Sequence, residues 1–130
     1  MENHRVGIIM NGVTGRMGTN QHLLRAIAAI RNEGGLVIQP GEVILPDPVL
    51  IGRNPEKLAA LSRQSGVTTV ATELDTFLDN DDYPVYFDAQ VTGLRAPALQ
   101  RAIQAGKHVY CEKPTATDTE TAMGLYPVSY

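Results

Sequence analysis

A chain of 130 residues with 19% charged residues and a formal net charge of −3 has the length of one domain, since roughly 100 to 200 residues suffice for a core of its own. The charge balance lacks the clustered Lys and Arg excess of a nucleic-acid surface, and no apolar run approaches the ~18 residues of a membrane span, so neither partner is expected. The single cysteine, Cys111, excludes an intramolecular disulfide and a cysteine-based zinc cage, and with no room for a signal peptide before the first strand the cytoplasm is the expected location.

The first strand is expected over Val6–Met10, a short apolar run that breaks into Asn11-Gly12-Val13-Thr14-Gly15-Arg16-Met17-Gly18. Glycines at that point supply a tight turn and a close backbone approach to a pyrophosphate, with the positive end of the following helix aimed at the anion. Leu23, Leu24, Ile27 and Ile30 then repeat at helical spacing, and Gly34-Gly35 ends a helix of about four turns. Leu36-Val37-Ile38, the Pro40-Gly41 turn and Glu42-Val43-Ile44-Leu45 predict a hairpin inserted ahead of the second core strand, Val49-Leu50-Ile51-Gly52.

Asn54-Pro55 reads as an N-cap and first-turn proline for a helix carrying Leu58 and Leu61, closed by Gly66. A third strand is expected at Val67–Ala71, a short helix at Glu73–Leu78, a fourth strand at Val85–Ala89, a helix from Leu94 to Gly106, and a fifth strand at His108–Cys111. Strand and helix alternating five times predict an α/β fold, a Rossmann-type doubly wound parallel sheet in the order 3-2-1-4-5, because each crossover must start a parallel neighbour by a right-handed connection.

In such a sheet the end of the second strand meets the adenosine ribose. Arg53 stands there, where a guanidinium suits the extra phosphate of NADP, and Lys57 adds a second positive charge one turn later. Asn54 is read chiefly as the cap, its amide also within reach of the phosphate. Arg16 opens a helix against the sign its dipole favours, which a nearby anion would offset. At the far edge, Glu112-Lys113-Pro114 places a carboxylate and an amine at the carboxyl end of the fifth strand, where ligands of open α/β sheets bind. His4, His22 and His108 lack metal-ligand spacing, and no metal is expected.

The glycine run, the arginine after the second strand and the segment Ala105-Gly106-Lys107-His108-Val109-Tyr110-Cys111-Glu112-Lys113-Pro114 together resemble the Gfo/Idh/MocA family of NAD(P)-dependent oxidoreductases. The resemblance runs from Val6 to about Thr117 and corresponds to the family's N-terminal cofactor domain. It implies that Gly12, Gly15, Arg16 and Met17 border the pyrophosphate, that Arg53 contacts the adenosine end, and that Ala89, Gln90 and Thr92 approach the cofactor from the fourth strand. Lys113 matches the family lysine beside nicotinamide and substrate and is the expected catalytic residue, with Glu112 shaping its loop on the cofactor side.

Three positions depart from the family pattern: the first glycine is displaced to Gly12, Val91 stands where proline is common, and Arg95 where histidine is frequent. The larger departure is length, since family members carry a second, sheet-based domain, and residues 1–130 are expected to form one dinucleotide-binding domain without that C-terminal substrate domain. With Arg53 the resemblance implies NADP, NAD being the other cofactor the family uses, and hydride transfer to or from a sugar- or polyol-like small molecule by a longer protein for which a homo-oligomer is the expected assembly. The alternative is a nucleotide-binding module without turnover, and the isolated chain is expected to be inactive or nearly so. An epimerase-type reading of Gly12-Val13-Thr14-Gly15 lacks its Tyr-x-x-x-Lys pair, and a Walker loop lacks its Gly-Lys-Ser/Thr.

Overall fold

The computed structural model describes residues 2–14, 18–90 and 92–111. Alternating apolar side chains decide its layering. On the central strand β1 (Glu2–Asn11), Ile9 and Met10 are both buried yet belong to different cores, as do Leu50 and its neighbours Val49 and Ile51 on β3 (Glu42–Ile51), and Tyr86 and Phe87 on β5 (Val85–Asp88). Successive residues of a strand point to opposite faces, so a sheet apolar on both sides must be covered on both.

One face is covered by α1, wound with π geometry over Gly18–Ile27 and α-helical over Ala28–Asn32, and by α2 (Pro55–Ser65), through Leu23, Leu58 and Leu61. The other receives α3 (Asp75–Leu78) and α4 (Thr92–Gln104), through Leu78, Ala98, Leu99 and Ala102. The sheet order is β2-β3-β1-β5-β6, with β2 at Leu36–Gln39, β6 at His108–Cys111, and β4 (Val70–Ala71) also pairing β3. Every pairing is parallel except that of β2 with β3. Counted on the five parallel strands this is the expected order 3-2-1-4-5.

The hairpin differs from its expected form. Its second arm does not stop at Leu45 but runs through Pro46-Asp47-Pro48 into the second core strand, so that Glu42–Ile51 pairs β1 in unbroken register. Proline is tolerated in a strand only where its missing N–H faces an unpaired edge. Pro46 and Pro48 meet that condition: on the outer edge of β3, β2 takes residues 42–44 and β4 takes 50–51, leaving 46–48 between them. Side chains hold that stretch instead. Arg31 donates to the Pro46 carbonyl at 2.7 Å, and Arg5 and Arg31 both pair with Asp47.

The third parallel strand is shorter than expected, and the reason is local. Ser65 Oγ accepts from Val67 N–H at 3.2 Å and Ser62 Oγ donates to the Val67 carbonyl at 2.5 Å, so both main-chain groups of Val67 are engaged by α2 before the chain reaches the sheet. The cap at Asn54 is as read: its side chain accepts from the backbone N–H groups of Glu56 and Lys57, Pro55 fills the first turn, and Gly66 ends α2 in the left-handed region at φ +77°. No helix among the described residues is long and apolar enough to cross a membrane.

Candidate functional site

The parallel strands β1, β3 and β5 end side by side, at Asn11, Ile51 and Asp88. From β1 the chain proceeds outward to β3 and β4, then crosses back to β5 on the other side, so α1 and α4, the helices that follow β1 and β5, lie on opposite faces of the sheet and a crevice is left at the strand ends. A cleft of about 740 Å³ opens there. Its floor is Asn11, Gly12, Ala89 and Gln90; one wall is Gly52 and Arg53 with Thr72 to Asp75, and the other is α4 from Gly93 to Arg101.

The floor is built by a close approach of two turns. Ala89 N–H donates to the Asn11 carbonyl at 2.8 Å and Gly12 N–H to the Ile51 carbonyl at 3.1 Å, continuing the sheet ladder one residue beyond its strands. Gly12 has φ +84°, and a Cβ there would lie 2.5 Å from the Gln90 nitrogen and 2.8 Å from the Ala89 carbonyl carbon. Only glycine fits both the left-handed backbone and the contact.

Beneath the floor lies a polar chain of buried groups. Asn11 Nδ2 donates to the Tyr86 hydroxyl at 3.0 Å, and that hydroxyl donates to Asp88 Oδ2 at 2.5 Å. Asp88 Oδ1 accepts from Gln90 N–H at 2.8 Å and from Arg95 Nε at 3.4 Å, and Arg95 Nη2 donates to the Gln90 carbonyl at 2.7 Å. Asp88 is fully buried and Arg95 is 3% exposed. Burial pushes the Asp88 carboxyl up, against the pull of the Tyr86 hydroxyl, Gln90 N–H and Arg95. Burial and then the Asp88 charge push the Tyr86 hydroxyl well above its usual range, so it remains a donor.

The expected site residues divide into three groups. Gly12, Arg53, Ala89 and Gln90 line the cleft together. Asn54 and Lys57 do not line it; Asn54 is occupied as the α2 cap and Lys57 is exposed. Gly15, Arg16, Met17, Glu112 and Lys113 lie outside the described residues, and Thr92 opens α4. The Gln90 side-chain oxygen is buried without a hydrogen-bond partner among the described residues, an acceptor that a ligand hydroxyl would satisfy. With the Gly12 turn it makes the cleft fit a dinucleotide.

Sequence reading missed the wall from Thr72 to Asp75, where Asp75 pairs with Arg101 of α4, and the buried chain from Asn11 to Arg95. A signal existed for the second: Asp88 ends a strand of otherwise apolar and aromatic residues, and Arg95 follows one turn into the next helix. Among the described residues no group of three His, Cys, Asp or Glu could hold a metal ion.

Comparison with known proteins is consistent with this geometry. A family model described as an oxidoreductase family with an NAD-binding Rossmann fold, Gfo/Idh/MocA, matches residues 5–127. The D-xylose dehydrogenase of Paenarthrobacter nicotinovorans is 43% identical over 120 residues, covering 92% of this chain and 31% of that protein. The structure of a levoglucosan dehydrogenase in complex with NADH and levoglucosan superposes with a TM-score of 0.74 at 28% identity, over 98% of this chain and 32% of the other. A 3-ketoreductase from Actinomadura kijaniata in complex with NADP and TDP-benzene gives 0.70 at 25% identity, over 98% and 34%. The chain thus spans about a third of the length of the relatives it matches.

Proposed function

The chain belongs to the Gfo/Idh/MocA oxidoreductase family, and from that premise we propose that residues 1–130 are one dinucleotide-binding domain, holding NADP(H) for hydride transfer to or from a sugar- or polyol-like small molecule. The observation that carries the reading is the convergence of the Gly12 turn, Arg53 and the Ala89-Gln90 turn on one cleft at the carboxyl ends of the strands. Relatives acting on D-xylose and levoglucosan support the substrate class. The substrate itself is met by a second domain in a longer protein, where any homo-oligomeric contact also belongs; the chain's coverage of a third of its relatives supports that division. The single cysteine supports a cytoplasmic setting.

When bound, the dinucleotide supplies the hydride at its nicotinamide ring. The protein's part is to bind, orient and move a proton. Gly12, with Gly15, Arg16 and Met17, would border the pyrophosphate, and Ala89, Gln90 and Thr92, with Glu112, would hold the cofactor from the β5 side. Lys113 moves the proton of the substrate hydroxyl, as a lysine at the nicotinamide end is suited to do. In the longer protein, Lys113→Ala is expected to lower kcat by about 10² to 10⁴ with little change in cofactor Kd, measured by steady-state kinetics and titration. By itself the chain is expected to give only trace turnover, since one open face lacks the opposing groups and water exclusion that catalysis needs.

Arg53 stands exposed on the cleft wall, where a 2′-phosphate would receive charge-assisted hydrogen bonds worth about 1.5–3 kcal/mol. NADPH is therefore expected to bind about tenfold or more tightly than NADH, and Arg53→Asp to reverse that order. Calorimetric titration of both chains with both cofactors tests it. Equal affinities in the unsubstituted chain would remove the role of Arg53, and no binding of either cofactor would remove the proposed function.

A further inference from the structure

The groups beneath the cleft floor do more than fill space. Asp88 Oδ1 accepts the N–H of Gln90 and Arg95 Nη2 donates to its carbonyl, so two buried side chains that also pair with each other occupy both main-chain polar groups of that one residue. Gln90 is the residue whose backbone rests on Gly12, and its side-chain oxygen has no hydrogen-bond partner among the described residues. Removing an ion pair from water costs several kcal/mol per ion, and replacing such a pair with well-packed apolar groups is often neutral or stabilising. Stability alone is a weak reason for Asp88 and Arg95 to be there, whereas fixing the place of one peptide unit is a task suited to a rigid guanidinium fork and a carboxylate.

We propose that Asp88 and Arg95 are positioning residues for the dinucleotide: together they clamp the Gln90 peptide against the Gly12 turn and leave the Gln90 side-chain oxygen as the acceptor for a ribose hydroxyl. The inference rests on the dinucleotide-binding reading and adds to it two buried residues that do not line the cleft. Arg95 is the member whose chemistry is least replaceable. Its Nε meets Asp88 while its Nη2 meets the Gln90 carbonyl, and a lysine ammonium retains the charge facing Asp88 but loses the fork that reaches both acceptors.

The test separates positioning from structure by measuring NADPH affinity and thermal stability on the same variants. Arg95→Lys keeps a cation opposite Asp88 and is expected to melt within about 5 °C of the unsubstituted chain, while its Kd for NADPH rises about tenfold or more. The double variant Asp88→Asn with Arg95→Met leaves no uncompensated buried charge, and it decides the matter should Arg95→Lys fail to fold; its Kd is expected to rise by at least as much. Parent-like NADPH affinity in either folded variant would overturn the proposal and leave the dinucleotide-binding reading standing. An unsubstituted chain that binds no NADPH would overturn both.

Discussion

Gly12→Val is expected to abolish measurable NADPH binding, raising Kd more than about a hundredfold, and to lower stability as well. Two costs act at one atom. The backbone there has φ +84°, a region that costs an ordinary L-residue about 1–2 kcal/mol and a β-branched one more. The new Cβ would lie 2.5 Å from the Gln90 nitrogen and 2.8 Å from its Cα, and these are backbone atoms held by Asp88 and Arg95, not the end of a side chain that can swing away. Relief requires the two turns to separate, and their separation takes apart the cleft floor. Titration with NADPH, with folding checked by circular dichroism, measures the effect; retained binding in a folded variant would show that the floor tolerates displacement.

The second large effect is expected far from the cleft. Gly7→Ala, in the middle of β1, should cost about 3 kcal/mol and lower Tm by about 10 °C, the upper range for overpacking a well-filled site. Gly7 is buried, and its added Cβ would fall on the carbonyl oxygen of Asp82, well inside contact distance, with Tyr83 Cδ1 at 2.9 Å. The obstruction cannot be moved cheaply. Arg5 donates to that same Asp82 carbonyl at 3.1 Å and lies over the Tyr83 ring, whose other neighbour is Phe77 edge-on at 5.2 Å. Thermal melts of the two chains decide it, and a Tm shift under about 3 °C would mean that the loop before β5 yields.

The strands were legible because burial on two faces leaves no polar interruption: Ile8-Ile9-Met10, Val49-Leu50-Ile51 and Val85-Tyr86-Phe87 are continuous apolar runs. That Gly12 and Arg53 line the cleft was legible because a glycine after the first strand and a charge after the second stand at the carboxyl edge of the sheet. Pro46 and Pro48 misled, since proline ends a strand unless its nitrogen faces an open edge, and that opening is left between the pairings of β2 and of β4, the second of which lies beyond α2. The Asn11 to Arg95 chain stayed hidden for a similar reason. Each member looks ordinary alone, and its meaning arises from the distances to Tyr86, Asp88 and Gln90, which no local pattern encodes. The Thr72 to Asp75 wall is likewise brought to the cleft only by the crossover that precedes it.

The division of the outer edge of β3 between β2 and β4 has an energetic consequence. The ladder bonds crossing that edge fall into two separate sets with Pro46 and Pro48 between them, so strain at one end is not passed along it to the other. The β2 arm, bonded to the sheet only through residues 42–44 of β3, can fray as a small unit of its own, in the manner of a sub-global opening, while β3 stays paired to β1 along its length and the carboxyl ends beside Gly12 and Arg53 stay closed. Changes in the length or sequence of that arm are then absorbed at the amino end of the sheet, and the part of the molecule that faces the dinucleotide is insulated from them.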